Sequence, residues 1–393
     1  MKLKIGLIGR ILIAIALAVG LGLLVPNISE AFGKGFVRFF ATFNMLFGGF
    51  LNFVVPLIII GFIVPGIAKL GQGSGKLLGL ATVFAYGSTI FAGIMAYFVA
   101  RNLLPTFISE SGTGEEVAEG AREAATAFFE VEMPPVMDIM TALILAFLLG
   151  IGMAAVNSKT MLSFFDELNL IIEKVISFVI IPLLPIHIFG IFLNMTYTGE
   201  VAKVLSVFAL VFILIIVLHL VMLTIQYTVA GALSKKNPFF LMKTMAPAYF
   251  TALGTQSSAA TIPVTLRQAK QTGASERVTN FTIPLFATIH LSGSTITLVT
   301  CSIGVLLMNG MPVTFGEYLP FIFMLGVTMI AAPGVPGGAV VAATGLLSSM
   351  LGFSDEMVAL MIALYMAQDS FGTATNVTGD GAIAMMVDRF TKK

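Results

Sequence analysis

The chain has 393 residues, of which 58% are hydrophobic and 10% are charged. Because ordinary globular proteins are roughly 45–50% apolar and about 25% charged, this composition excludes a water-soluble fold and predicts an integral membrane protein. A net charge of +1 without a basic cluster excludes nucleic acid as a partner, and the single cysteine, Cys301, excludes an intrachain disulfide and a cysteine-based metal centre.

Six charge-free stretches in the first part of the chain approach or exceed the roughly 20 residues that a helix needs to cross a bilayer. We expect the first of them to be a retained helix and not a signal peptide, because no small-residue cleavage pattern follows it. Prolines in the second and fifth are expected to bend those helices. The stretches cover residues 11–29, 39–68, 77–100, 139–158, 175–199 and 204–234.

One long polar interruption, residues 104–136, is rich in glutamate, and we expect an exposed extracellular loop there. Orientation in the membrane follows the lysines and arginines, because cytoplasmic loops carry an excess of them. Most of the 21 basic residues fall inside if both termini are cytoplasmic. The sequence therefore predicts a multi-pass protein of the cell inner membrane with cytoplasmic N- and C-termini.

The pattern changes after residue 237, where apolar segments are interrupted by small, polar and helix-breaking residues at 254–263 and 333–338. A broken helix exposes backbone N–H and C=O groups that lipid cannot satisfy, so each break must be buried in protein or line an aqueous cavity. We therefore predict two re-entrant hairpins. Helix breaks at the centre of the membrane are typical of a transporter's binding site.

The last hydrophobic segment carries Asp369, Thr373, Asn376 and Asp380, whose spacing of four, three and four places them on one helix face. No Lys or Arg lies within residues 278–388 to neutralise the two carboxylates, so their partner is expected to be a mobile cation or a proton. The alternative is a buried hydrogen-bonding network that only locks helices together.

His290 lies in a second polar run, residues 288–294, within the seventh span. An intramembrane histidine can carry a proton or can be a hydrogen-bonded interior residue, and the sequence leaves both readings open. His187 and His219 lie in the first half of the chain, where we expect structural roles.

Three motifs, in this order along the chain, resemble the dicarboxylate/amino acid:cation symporter family, which has the glutamate-transporter fold and includes the bacterial serine/threonine symporters. They are residues 257–265, 334–338 and 376–380, and the resemblance extends over the whole chain. It implies an all-α integral membrane fold of eight transmembrane helices plus two re-entrant helical hairpins, in which a transport domain moves like an elevator against a scaffold. It also implies a homotrimer surrounded by membrane lipid.

The domain division implied by this resemblance falls near residue 236. Residues 1–236 would be mainly scaffold, although some of these spans would join the transport domain, and residues 237–393 would form the transport core. The core would contain a first hairpin at about 238–270, a seventh span at about 278–308, a second hairpin at about 317–353 and an eighth span at about 356–388.

The resemblance also implies a site, in which Asp369 matches the aspartate that receives a substrate's α-ammonium group. The residues expected to contact substrate are Gln256, Ser257, Ser258, Leu291, Ser294, Val335, Pro336, Gly337, Gly338, Asp369, Gly372, Thr373 and Asn376. The oxygens expected to bind sodium come from the side chains of Thr288 and Asp380 and from the backbone of Phe286, His290 and Asn376. One or two sodium sites are expected.

Departures from the family pattern indicate the substrate and the coupling ion. Members that carry acidic substrates hold the side-chain carboxylate with an arginine, at positions that resemble Gly372 and Gln256 here. Without that guanidinium a second carboxylate would be desolvated and poorly paired, which favours a neutral amino acid. The family's sodium-binding aspartate is replaced by Ser292 and a nearby asparagine by His290, so a proton on His290 is a further candidate for coupling.

The leading interpretation is a symporter that imports a neutral amino acid with sodium, and with protons as a further candidate. The alternatives are an acidic amino acid or dicarboxylate:cation symporter and, in another class, an ion-conducting channel. An enzyme is not expected, because the sequence has no recognisable metal-ligand cluster or nucleophile–base pair.

Overall fold

The computed structural model describes residues 7–28, 30–72, 76–110, 124–199, 201–330, 332 and 336–391, and within these ranges all regular secondary structure is helical. Helices cover most of each of the six charge-free stretches in the first half, and a further helix, α5, lies between the fourth and the fifth. These helices are α1 (Leu7–Ile28), α2 (Glu30–Gln72), α3 (Lys76–Glu110), α4 (Ile139–Val156), α5 (Lys159–Val175), α6 (Ile181–Thr198) and α7 (Val201–Ser234).

A five-residue π-helical turn, Ile176–Ile180, joins α5 to α6 without a break. It directly precedes Pro182 and Pro185, the two prolines expected to disturb this span. Each proline lacks the N–H that would donate to the carbonyl four residues earlier, and a π-type turn is one way in which a continuous helix accommodates that loss.

The second half consists of shorter helices and one long one. They are α8 (Pro238–Thr255), α9 (Ser258–Gln271), α10 (Glu276–Ile289), α11 (Ser292–Met308), α12 (Phe315–Ile330), α13 (Gly338–Leu351) and α14 (Asp355–Thr391). Helices α8 and α9 are separated by residues 256–257, and α10 and α11 by residues 290–291. Helices α12 and α13 are separated by residues 331–337, of which the structure describes Ala332, Pro336 and Gly337.

Among the described residues, six helical stretches are long and apolar enough to cross a membrane, judged by length and composition. Shorter apolar helices occur at Gly9–Leu24, Thr141–Val156, Phe315–Met329 and Gly338–Leu351. The chain is therefore a multi-pass membrane protein, and the count of eight spans with two hairpins remains a prediction.

Two early helices pack against the second half of the chain. From α3, the Tyr86 hydroxyl donates to the Phe323 carbonyl at 3.0 Å. From α7, the Tyr227 hydroxyl donates to the Thr378 carbonyl at 2.6 Å, and His219 Nε2 lies 3.0 Å from the Gly293 carbonyl. Helices α1, α2, α4 and α6 pack mainly on one another. Packing therefore groups α3 and α7 with the second half, whereas the predicted division near residue 236 concerns motion and stays a prediction.

Candidate substrate and cation site

A cavity of about 30 Å³ lies where the α8–α9 connection, the α10–α11 break, the start of α13 and the middle of α14 converge. Its lining combines residues that the sequence predicted with others that it did not. The lining residues are Gln256, Ser258, Ala287, Thr288, Leu291, Ser294, Ala332, Ala339, Tyr365, Asp369, Thr373 and Asn376. The helix breaks thus surround a polar cavity.

Asp369 is only 5% exposed, and its Oδ2 accepts a hydrogen bond from the backbone N–H of Gly337 at 2.7 Å. Gly337 caps the N-terminus of α13, the positive end of that helix, which favours a negative charge. Within the described chain Asp369 forms no ion pair with Lys or Arg. The expectation of a purely mobile partner was therefore incomplete, because a fixed N–H also holds this carboxylate.

The side chain of Asn376, which is 3% exposed, caps the N-terminus of α11. Its Oδ1 accepts from the N–H groups of Gly293 and Ser294 at 2.7 and 3.3 Å, and its Nδ2 donates to Ser294 Oγ at 2.9 Å. The first N–H groups of a helix have no partner within that helix, so this amide satisfies donors that the break leaves free. In this conformation the Asn376 side chain holds the break in place.

Asp380 faces a histidine: its Oδ1 lies 2.8 Å from His290 Nδ1, and both side chains are buried. His290 Nε2 lies 3.0 Å from the hydroxyl of Ser88 on α3. Gln226 Nε2, from α7, donates to Ser88 Oγ at 2.9 Å and to Ser292 Oγ at 3.3 Å. His290 and Asp380 were both expected among the sodium ligands, but their direct contact and the contacts with Ser88 and Gln226 were not predicted.

Gly372, an expected substrate contact, is not among the residues that line this cavity. It lies where α14 crosses α11. A Cβ atom on Gly293 would lie 2.4 Å from the Gly372 carbonyl oxygen, and one on Gly372 would lie 3.5 Å from the Ser294 nitrogen. The small residues therefore allow a close helix crossing, and the substrate contact at Gly372 stays a prediction.

The other expected substrate contacts lie at the starts of α9 and α13. Ser257 caps α9, where its Oγ accepts from Ala260 N at 3.2 Å, while Ser258 reaches the cavity. Pro336 and Gly338 lie at the start of α13 without lining the cavity, and Val335 lies outside the described residues. Tyr365 was missed, although its position four residues before Asp369 places it on the same helix face.

The expected sodium ligands lie around the end of α10 and on α14. The Phe286 carbonyl accepts the last bond of α10 from His290 N at 3.0 Å, and Thr288 Oγ1 donates to the Leu285 carbonyl at 2.8 Å. Carbonyl groups at a helix C-terminus lack partners within the helix and carry partial negative charge. Carbonyl and carboxylate oxygens suit a hard cation such as sodium, and the assignment of these residues as its ligands stays a prediction. No cluster of three His, Cys, Asp or Glu residues occurs in the part of the chain that the structure describes.

Apolar helices of membrane-spanning length, interrupted around a buried polar cavity, define the class of secondary membrane transporters. A family model described as the sodium:dicarboxylate symporter family matches residues 7–390. The chain belongs to this family, which confirms the resemblance noted from the three motifs, and members of the family are transporters.

Curated relatives agree with this membership. The chain is 25% identical to the serine/threonine transporter SstT of Acinetobacter baylyi, over 99% of this chain and 98% of the relative. It is 30% identical to excitatory amino acid transporter 1 of Ambystoma tigrinum, over 63% of this chain and 46% of the relative. It is 27% identical to an excitatory amino acid transporter of Caenorhabditis elegans, over 67% of this chain and 53% of the relative.

Proposed function

We propose that the chain is a secondary symporter that imports a neutral amino acid together with sodium. The observation that carries this proposal is the buried carboxylate of Asp369, which lines the cavity and accepts one N–H from Gly337. A carboxylate in an apolar environment requires a cationic partner or further donors. The α-ammonium group of an amino acid supplies both a charge and N–H donors.

The α-carboxylate of the substrate would lie at the N-terminus of α9. Ser258, the first residue of that helix, lines the cavity. Free N–H groups and the positive end of the helix dipole favour an anion at this position. At the N-terminus of α13, the N–H of Gly337 already binds Asp369. The first hairpin would thus hold the carboxylate of the zwitterion, and Asp369, bound to the second hairpin, would hold its ammonium group.

A neutral side chain is favoured because no Lys or Arg lines the described part of the cavity. A second carboxylate there would lack the bidentate partner that offsets its desolvation. The alternative, an acidic amino acid or a dicarboxylate, is supported by the family description and by the similarity to excitatory amino acid transporters. Competition of glutamate and succinate against neutral amino acids for uptake separates the two.

For the coupling ion we propose one or two sodium sites, formed by the end of α10 together with Asn376 and Asp380. The proton that the sequence assigned to His290 remains a prediction. We further propose that α3 and α7–α14 move as one unit against α1, α2 and α4–α6, in a homotrimer of the inner membrane with cytoplasmic termini. The hydrogen bonds of α3 and α7 to the second half support this grouping.

The test of the proposed function is uptake by purified protein in liposomes with and without an imposed inward sodium gradient. We expect the gradient to drive accumulation of a neutral amino acid, and indifference to the gradient would contradict the sodium coupling. Asp369→Asn should lower the affinity for α-amino substrates more than a hundredfold, because it removes the charge that an ammonium group meets. Asp166→Asn is the matched control, since Asp166 forms an exposed pair with Lys69 outside the cavity.

A further inference from the structure

Tyr365 presents a buried hydroxyl to the cavity that the assignments above do not use. The side chain is 0% exposed, and it lies on α14 four residues before Asp369. The hydroxyl is close to Asp369 and Ser294, yet it forms no hydrogen bond of normal geometry within the described chain. A buried hydroxyl without a hydrogen bond is unfavourable, so such a group on a residue that lines a binding cavity is suited to a ligand.

The surroundings of Tyr365 restrict the kind of ligand group that fits. The walls contributed by Ala287, Leu291 and Ala339 are apolar, and the cavity is small, about 30 Å³. A small side chain therefore enters it with less rearrangement than a large one. A carboxylate near Asp369 would be repelled, whereas a hydroxyl can both donate to and accept from the tyrosine.

We propose that Tyr365 determines specificity by hydrogen-bonding the side-chain hydroxyl of a small amino acid, so that the site selects serine-like substrates over alanine. This inference rests on the proposed function, because an ammonium group held by Asp369 brings the adjacent atoms of the same ligand within reach of Tyr365. A site built to bond a substrate hydroxyl discriminates against the analogue that lacks it, since the site's own polar group is then left unpaired.

The experiment compares uptake of serine, threonine and alanine by the wild-type protein and by Tyr365→Phe in liposomes with an imposed inward sodium gradient. A single hydrogen bond corresponds to a change of about three- to tenfold in relative affinity. We expect the wild type to prefer serine over alanine by at least that factor in kcat/KM. In Tyr365→Phe the preference should disappear while alanine uptake is retained.

Tyr97→Phe is the matched control, because Tyr97 is also 0% exposed with an unpaired hydroxyl but does not line the cavity. It should leave the serine-to-alanine ratio unchanged. Equal losses for both substrates in Tyr365→Phe would assign the tyrosine a structural role and overturn the inference. If Tyr365→Phe does not fold, the wild-type protein alone still tests the inference, because equal kcat/KM values for serine and alanine would contradict it. Absence of uptake of every amino acid by the wild type would instead contradict the proposed function.

Discussion

Replacing Gly337 by alanine tests whether the start of α13 holds Asp369 in the form that binds substrate. Gly337 has a φ angle of 76°, in the left-handed region, and its N–H donates to Asp369 Oδ2 at 2.7 Å. An L-residue in this region costs about 1–2 kcal/mol. The new Cβ would also lie 2.5 Å from the Sδ atom of Met366, which is 1% exposed and has little space to move.

Relief of that contact adds about 1 kcal/mol, the lower end of the usual cost of overpacking. The total of about 2–3 kcal/mol opposes the conformation in which Gly337 reaches Asp369. Because the apparent affinity falls in proportion to the population of the competent state, substrate binding should weaken about 30- to 140-fold.

The assay is thermal stabilisation of the purified protein by the amino acid that stabilises the wild type most, titrated to obtain an apparent Kd. Gly310→Ala is the control, because Gly310 has a φ angle of 66° but a Cβ there would meet no atom within 4 Å. It carries the same backbone strain away from the cavity and should lower the melting temperature without changing the Kd. An unchanged Kd in Gly337→Ala would refute the reasoning.

Two further substitutions test the helix crossing and the histidine. Gly293→Ala would place a Cβ atom 2.4 Å from the Gly372 carbonyl oxygen, so it should destabilise the protein by about 3 kcal/mol in thermal unfolding. Gly20→Ala is the control, because a Cβ there would meet no atom within 4 Å, and it should leave the stability unchanged. Equal melting temperatures for the two variants would contradict the close crossing. His290→Asn removes an imidazole that can take up a proton, so the pH dependence of uptake should change if His290 carries one. A pH profile identical to that of the wild type would remove His290 from coupling.

The positions of the helices and their breaks could be predicted from the sequence, because they depend on local properties. Runs of apolar residues give the helices, and residues such as Gln256, Ser257 and His290 stand at the interruptions. The polar face of α14 could be predicted as well, because the spacing of its four polar residues places them on one side of a helix. These residues are Asp369, Thr373, Asn376 and Asp380. The resemblance to the family followed from three motifs, of which two overlap these interruptions and the third lies on the polar face of α14.

The contacts across the site could not be predicted in the same way. Gly337 and Asp369 are 32 residues apart, and His290 and Asp380 are 90 residues apart. Periodicity shows which residues share a helix face but not which face of another helix lies opposite. For the same reason the close approach of Gly372 to Gly293 could not be predicted, because only packing shows it.

Each helix break in the site is closed by a different polar group, and this difference indicates which break can respond to a ligand. Ser257 caps α9 and Asn376 caps α11 with neutral side chains. The start of α13 is held by Asp369, the carboxylate that we assign to the substrate's ammonium group. A substrate ammonium group that binds this carboxylate changes the charge that faces Gly337. The side chains of Ser257 and Asn376 are neutral, and their charge does not change. We therefore expect the start of α13, where Gly337 meets Asp369, to respond more directly to a bound substrate than the starts of α9 and α11.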